Sequence, residues 1–115
     1  MVKSSAKAQA LRLNSVFHAL SDATRRSILR DVASGEKTVG QIALPYRVSL
    51  AAVSKHLKVL EKAQLIHRQK KGSFQIVRIN AIPMKEAERW LHYYEKFWNE
   101  QLNSLQALFE REDSN

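Results

Sequence analysis

Residues 53–62, VSKHLKVLEK, sort their side chains by chemistry. At about 100° per residue on a helix, Val53, Leu57 and Leu60 fall within roughly 60° of one another, and Lys55, Lys58 and Lys62 centre roughly 180° away. One face suits burial in a small core. The other suits solvent or something negatively charged. Just upstream, Pro45 disfavours helical geometry at the residue before it, which confines TVGQIAL (38–44) to a short helix. After PYRV, Ser49 is placed to cap the next helix, expected over 50–63.

The rest of the chain is mostly helical in pattern. A first helix fits residues 7–19, with Leu13, Val16, Phe17 and Leu20 at helical spacing. Ser21 or Asp22 can cap a second, DATRRSILRDVAS, which presents Ile28, Leu29 and Val32 and stops at Gly35. The texture changes in LIHRQKKGSFQIVRIN, which reads as strands at about 65–70 and 74–79 around a turn at Lys71, Gly72 and Ser73. Phe74, Ile76 and Arg78 alternate there, and Ile79 breaks the pattern. From Pro83, a favoured first helical residue, a long helix runs to about Arg111. Its broad apolar stripe includes Trp90, Leu91, Tyr94, Phe97, Trp98, Leu102, Leu105, Leu108 and Phe109.

A chain of 115 residues suits a single domain, 1–115, with a modest core. No apolar run approaches the roughly 18 residues that a membrane span needs. The start, MVKSSAKAQALRLNSVFHAL, has no long apolar block, so a cytoplasmic protein is expected. There is no cysteine, which removes disulfides, thiolate metal ligands and a thiol nucleophile together. With no glycine-rich phosphate loop and no convincing acid/base pair, an enzyme is not expected, and no cofactor is implied. Charge is segregated. Residues 55–78 hold seven Lys and Arg against one acid, Glu61, whereas residues 79–115 hold four against seven. A basic middle beside an acidic tail indicates a localised anion-binding face.

Two short helices joined by a tight turn and followed by a basic hairpin describe a winged helix-turn-helix. The expected fold is mainly α with a small β-hairpin wing: helix-turn-helix at 38–63, wing at 65–79, and a C-terminal dimerisation helix at 83–111. In such a module the second helix of the pair enters the major groove of double-stranded DNA. The apolar face then seats the recognition helix, and the lysine face meets DNA.

The sequence also resembles a known family. LSDATRRSIL, then TVGQIALPYRVSLAAVSKHLKVLEKAQLI and the KKGSFQIVRI hairpin, are similar to the ArsR/SmtB family of bacterial repressors. The last helix, with WLHYYEKFWNEQLNSL, is similar to a metal-independent, cysteine-free subgroup. The resemblance covers roughly residues 14–110 and is most specific at 38–66. It implies a homodimer that binds an inverted-repeat operator, often its own promoter, and represses transcription. Three positions depart from the pattern. Ala23 and Ala51 stand where prolines are common, at helix starts that tolerate alanine. Gln64 stands where a glycine usually follows the recognition helix; a left-handed Gln64 costs roughly 1 kcal/mol.

The resemblance places Leu50, Ala51, Ser54 and Lys55 at base-facing positions, with Ser49 at the head of the helix and Lys58 suited to phosphate. Lys55 can donate to guanine, Ser54 can donate or accept, and Leu50 and Ala51 can meet only thymine methyls. Thr38 and Gln41, at the start of the preceding helix, are candidates for phosphate contact through backbone N–H groups. In the wing, Lys70, Lys71, Ser73 and Gln75 suit phosphate or the minor groove. Arg25 and Arg26 are read as structural ion-pair residues, and His56, beside the apolar face, as packed or bonded to backbone.

A helix of 29 residues spans roughly 43 Å, more than one small domain covers. Its surplus stripe, through Leu91, Tyr94, Trp98, Leu102 and Leu105, joins Leu13, Val16 and Phe17 of the first helix as the expected two-fold dimer interface. His92 with Glu88 and Glu95 is read as a surface cluster, not a metal site. No motif specifies a small-molecule effector. Two rivals to the repressor reading remain: a protein-interaction module using Trp90, Tyr93, Tyr94 and Trp98, and a sequence-indifferent, nucleoid-like DNA binder.

Overall fold

The structure is a computed structural model and describes residues 6–113. Its elements run α1 (Ala6–Leu20), α2 (Ala23–Ala33), β1 (Lys37–Thr38), α3 (Val39–Ala43), α4 (Leu50–Lys62), β2 (Ile66–Lys71), β3 (Phe74–Ile79) and α5 (Ile82–Asp113). The chain groups into two compact units, one ending at Lys85 and the other beginning at Glu86.

The core of the first unit is fully apolar among the described residues. Ala19 of α1, Ile28 and Val32 of α2, Ile42 of α3, and Val53, Leu57 and Leu60 of α4 are buried together with Leu65, Ile66 and Val77 of the wing. The apolar face of VSKHLKVLEK is thus the seat of α4. Each fully buried Leu or Ile here contributes about 1.5–3 kcal/mol from lost water contact.

The starts of α2 and α4 are fixed by residues the sequence nominates as caps, and that of α3 by a pair it does not. Asp22 caps α2 by accepting the Arg25 N–H at 3.0 Å. Ser49 caps α4 by accepting the Ala52 N–H at 3.1 Å. Thr38 and Gln41 form a reciprocal capping box at α3: the Thr38 hydroxyl accepts the Gln41 N–H at 3.0 Å, and the Gln41 side-chain oxygen accepts the Thr38 N–H at 2.9 Å.

The C-terminal ends are satisfied less predictably. Arg25 donates from Nε to the Ala19 carbonyl at 2.7 Å and from a terminal nitrogen to His18 at 3.0 Å. Arg26 donates to the Leu20 carbonyl at 2.7 Å. Both arginines were expected in ion pairs. Instead they close the last turn of α1, whose carbonyls have no partner within the helix. His56 is not bonded to backbone: its Nδ1 lies 3.5 Å from Arg25 Nη1 and 3.8 Å from Asp22 Oδ2, linking the middle of α4 to the start of α2.

α4 ends with Gln64 at φ +60°, the one non-glycine with positive φ among the described residues. The Gln64 N–H donates to Glu61 O at 2.9 Å and the Leu65 N–H to Leu60 O at 3.0 Å. This pair of bonds is the Schellman closure, with Leu60 and Leu65 supplying its apolar contact.

The sheet has three strands in the order β1-β3-β2, all antiparallel. The hairpin was expected, whereas β1 was not. β1 pairs Lys37 with Val77 and Thr38 with Ile76. The alternation along β3 also differs from expectation: Val77, not Phe74 or Ile76, is the residue buried in the core, and Phe74 is 62% exposed at the hairpin tip. β2 is set one residue later than expected, at Ile66–Lys71, with Gly72 at φ +61° in the turn.

From Glu86 onward the second unit is a single helix. Trp90 and Tyr94 stack with ring centroids 4.3 Å apart, and Tyr94, Phe97 and Trp98 continue the row edge to face at 6.3 and 5.9 Å. Leu91, Tyr94, Trp98, Leu102 and Leu105 are all exposed on it. No described helix is long and apolar enough to cross a membrane.

Candidate nucleic-acid interface

Residues from three elements of the first unit converge on one cleft of about 490 Å3. Thr38, Val39 and Gly40 come from the start of α3, Leu50, Ala51 and Ser54 from the first turns of α4, and Arg68, Ser73, Phe74 and Gln75 from the wing. The turn after α3 carries Pro45 and the Ser49 cap, so α4 starts beside α3 with its first turn at the surface. The hairpin supplies the opposite wall because β3 is pinned on one side by β1 and on the other by β2.

Six of the residues nominated from sequence therefore share a single concavity: Thr38, Leu50, Ala51, Ser54, Ser73 and Gln75. Lys55, expected at a base edge, and Lys58, Lys70 and Lys71, expected at phosphates, lie outside its lining and are exposed. Ser49 is exposed and uses its oxygen as the α4 cap. Lys62 lines a separate concavity with Leu11, Asn14, Ser15, His18, Val59 and Ala63.

The capping box changes the view of α3. The backbone N–H groups of Thr38 and Gln41 are each bonded to the other residue's side chain, so they are already committed. Among the residues not nominated, Arg68 and Phe74 matter most. Arg68 Nε sits 3.5 Å from Glu61 Oε1, and its Nη1 donates to the Gln75 side-chain oxygen at 3.4 Å. The bond fixes the Gln75 amide and brings a guanidinium to the cleft. A signal for Arg68 existed in its strand spacing from Lys70, both on one face of a two-residue period. Phe74 had none, because its alternation with Ile76 does not show that it is exposed or near α4.

Of the residues nominated for a dimer interface, Leu91, Tyr94, Trp98, Leu102 and Leu105 are exposed, Leu13 and Phe17 are half-buried, and Val16 is only 2% exposed. Val16 belongs to the core of its own chain. Among the described residues, no three His, Asp or Glu side chains gather in a way that would hold a metal ion.

A helix pair with a short turn, an exposed second helix seated by an apolar face, and an adjoining antiparallel hairpin define a winged helix-turn-helix protein. A family model described as a helix-turn-helix domain matches residues 20–69. The transcriptional repressor SdpR of Bacillus subtilis (strain 168) is 35% identical over 79 residues, which is 69% of this chain and 88% of that protein. The crystal structure of an ArsR family transcriptional regulator superposes with a TM-score of 0.74 at 32% identity, covering 78% of this chain and 93% of that one. A homodimeric winged helix-turn-helix DNA-binding domain from Mycobacterium bovis gives a TM-score of 0.60 at 27% identity, covering 89% and 94%. The chain belongs to the ArsR family of winged helix-turn-helix, DNA-binding transcriptional regulators.

Proposed function

We propose that this protein is a homodimeric repressor that binds an inverted-repeat operator through the α4–wing cleft, its own promoter included among the targets. The observation that carries the reading is the convergence of α3, α4 and wing residues on one cleft flanked by Lys55, Lys58, Lys70 and Lys71. Leu50, Ala51, Ser54 and Lys55 face base edges. The exposed lysines of helix and wing hold the phosphates, setting register and supplying most of the affinity. Thr38, Ser73 and Gln75 line the cleft between them, and Ser49 stands at the head of α4.

The apolar row of α5 supports self-association. Leu91, Tyr94, Trp98, Leu102 and Leu105 leave a long stripe in water, which a monomer rarely tolerates. Leu13 and Phe17 of α1, half-buried in the first unit, are assigned to pairing as well. The related Mycobacterium bovis domain is homodimeric. A two-fold dimer sets two α4 helices one helical turn of DNA apart, roughly 34 Å. The protein then acts in the cytoplasm, where its DNA is.

The test is selection of bound duplexes from a randomised pool at physiological salt. Enrichment of an inverted repeat with half-sites about one turn apart supports the reading. Retention without enrichment, lost as salt rises, would identify a sequence-indifferent binder. Full function in Lys55→Ala and Lys71→Ala variants, with loss in Trp98→Ala, would instead identify a protein-interaction module.

A further inference from the structure

The walls of the cleft are chemically lopsided. Leu50 opens α4 at 61% exposure, Ala51 follows it, and Phe74, 62% exposed on the wing, lines the same cleft. Phe74 pairs with Lys71 immediately after the Gly72 turn, so it is held at the hairpin tip by the strand register and not by the core. None of these three side chains has a hydrogen-bond donor or acceptor. Two large apolar groups left in water at the mouth of a DNA-facing cleft need an apolar partner to be satisfied.

Of the four bases, only thymine presents such a partner at its major-groove edge: the C5 methyl group. Guanine and adenine offer N7, with O6 or an exocyclic amine, and cytosine offers an amine. Pressing Leu50 or Phe74 against any of those strips water from a polar group and returns no hydrogen bond. The discrimination therefore has two parts, a gain at thymine and a penalty elsewhere. Ser54, on the same side of α4 one turn on, and the Arg68–Gln75 pair supply the polar contacts that flank the apolar patch.

We propose that Leu50, Ala51 and Phe74 form a clamp that reads thymine methyl groups, and that this clamp sets the sequence preference of each half-site. The proposal rests on the operator-binding reading above and names what the cleft recognises. It adds Phe74 of the wing to the specificity-determining residues and sets the wing tip at the major-groove edge beside α4, with the wing's polar residues kept to phosphate and the minor-groove alternative given up.

The experiment uses the full-length protein and the duplex enriched by selection. Each thymine is replaced in turn by deoxyuridine, which removes the methyl and leaves base pairing intact. At one or two positions per half-site, affinity falls about fourfold, the loss expected for one buried methyl, and roughly fifteenfold when both half-sites are changed. Phe74→Ala and Leu50→Ala bind the thymine and uracil duplexes equally, while their thermal unfolding stays within a degree or two of the wild type because both side chains are exposed. Uracil duplexes that all bind within twofold of the parent would overturn the clamp while leaving the operator reading intact. Failure to enrich any sequence would overturn both.

Discussion

The side-chain amide of Asn80 donates to the Gln64 carbonyl at 2.8 Å, and its backbone N–H donates to the Leu65 carbonyl at the same distance. One residue at the end of the wing thus clasps the end of the recognition helix. It does so at the point where the backbone is most strained, since Gln64 holds φ +60°. Non-glycine residues pay for that geometry with a close approach of Cβ to the carbonyl oxygen.

Replacing Gln64 with Gly removes that penalty. Gln64→Gly is expected to stabilise the protein by about 1 kcal/mol, and to raise its melting temperature by about 4 °C. Thermal unfolding at one fixed protein concentration checks this. Gln64→Val shifts the midpoint the other way, because a β-branched side chain fits the left-handed region worst. Asn80→Ala loses the clasp and costs about 1 kcal/mol.

Acid should weaken the protein through Asp22. The Arg25 N–H bond, reinforced by His56 and Arg25 nearby, holds its carboxyl below the usual carboxylate range. A depressed carboxylate contributes stability that is fully present above its unfolded pKa of about 3.9 and is lost as pH falls through the lower folded value. Asparagine caps a helix equally well and does not titrate. The stability advantage of wild type over Asp22→Asn should therefore shrink as pH drops from about 5 toward 2. Denaturant midpoints across that range measure it; a constant gap would mean that the charge of Asp22 contributes nothing.

On the proposed reading the wing lysines act at phosphates, so their loss should be blind to sequence. Lys70→Ala and Lys71→Ala each lower affinity for all duplexes alike and reduce the slope of log K against log salt by about 1. Lys55→Ala instead relaxes the preference at one base position. Titrations of the selected and a scrambled duplex at several salt concentrations separate the two behaviours.

Trp98 sits mid-stripe on α5 and is 53% exposed. Trp98→Glu places a charge in the proposed pairing face, where it has no partner to offset desolvation. Sedimentation should report a folded monomer. Operator affinity should then fall at least tenfold, because half-sites are no longer engaged together.

How much of this was legible in the sequence depended on whether the signal was local. The seat of α4 was, since Val53, Leu57 and Leu60 repeat at helical spacing. So was the Ser49 cap, which acts over three residues; the equally local Thr38–Gln41 capping box goes unread there, the two residues being assigned to phosphate instead. The two-residue strand β1 was not, because Lys37 and Thr38 show no periodicity and exist as a strand only through pairing with β3. The alternation of Phe74 with Ile76 does not tell which face of β3 turns inward. Near a hairpin tip the core no longer reaches the sheet, so Phe74 is apolar without being buried. Arg25 and Arg26 were taken for ion-pair residues because sequence cannot show that the end of α1 lies beside the first turn of α2. The cleft itself needs all three elements in place.

Thr38 has a double membership with a mechanical outcome. It is the last residue of β1, paired with Ile76, and also the cap on which α3 begins. No joint intervenes between the hairpin and the first helix of the reading pair. Wing and helix pair are therefore coupled at one residue: on the proposed binding mode, a displacement of the hairpin reaches the start of α3 with no flexible link to absorb it.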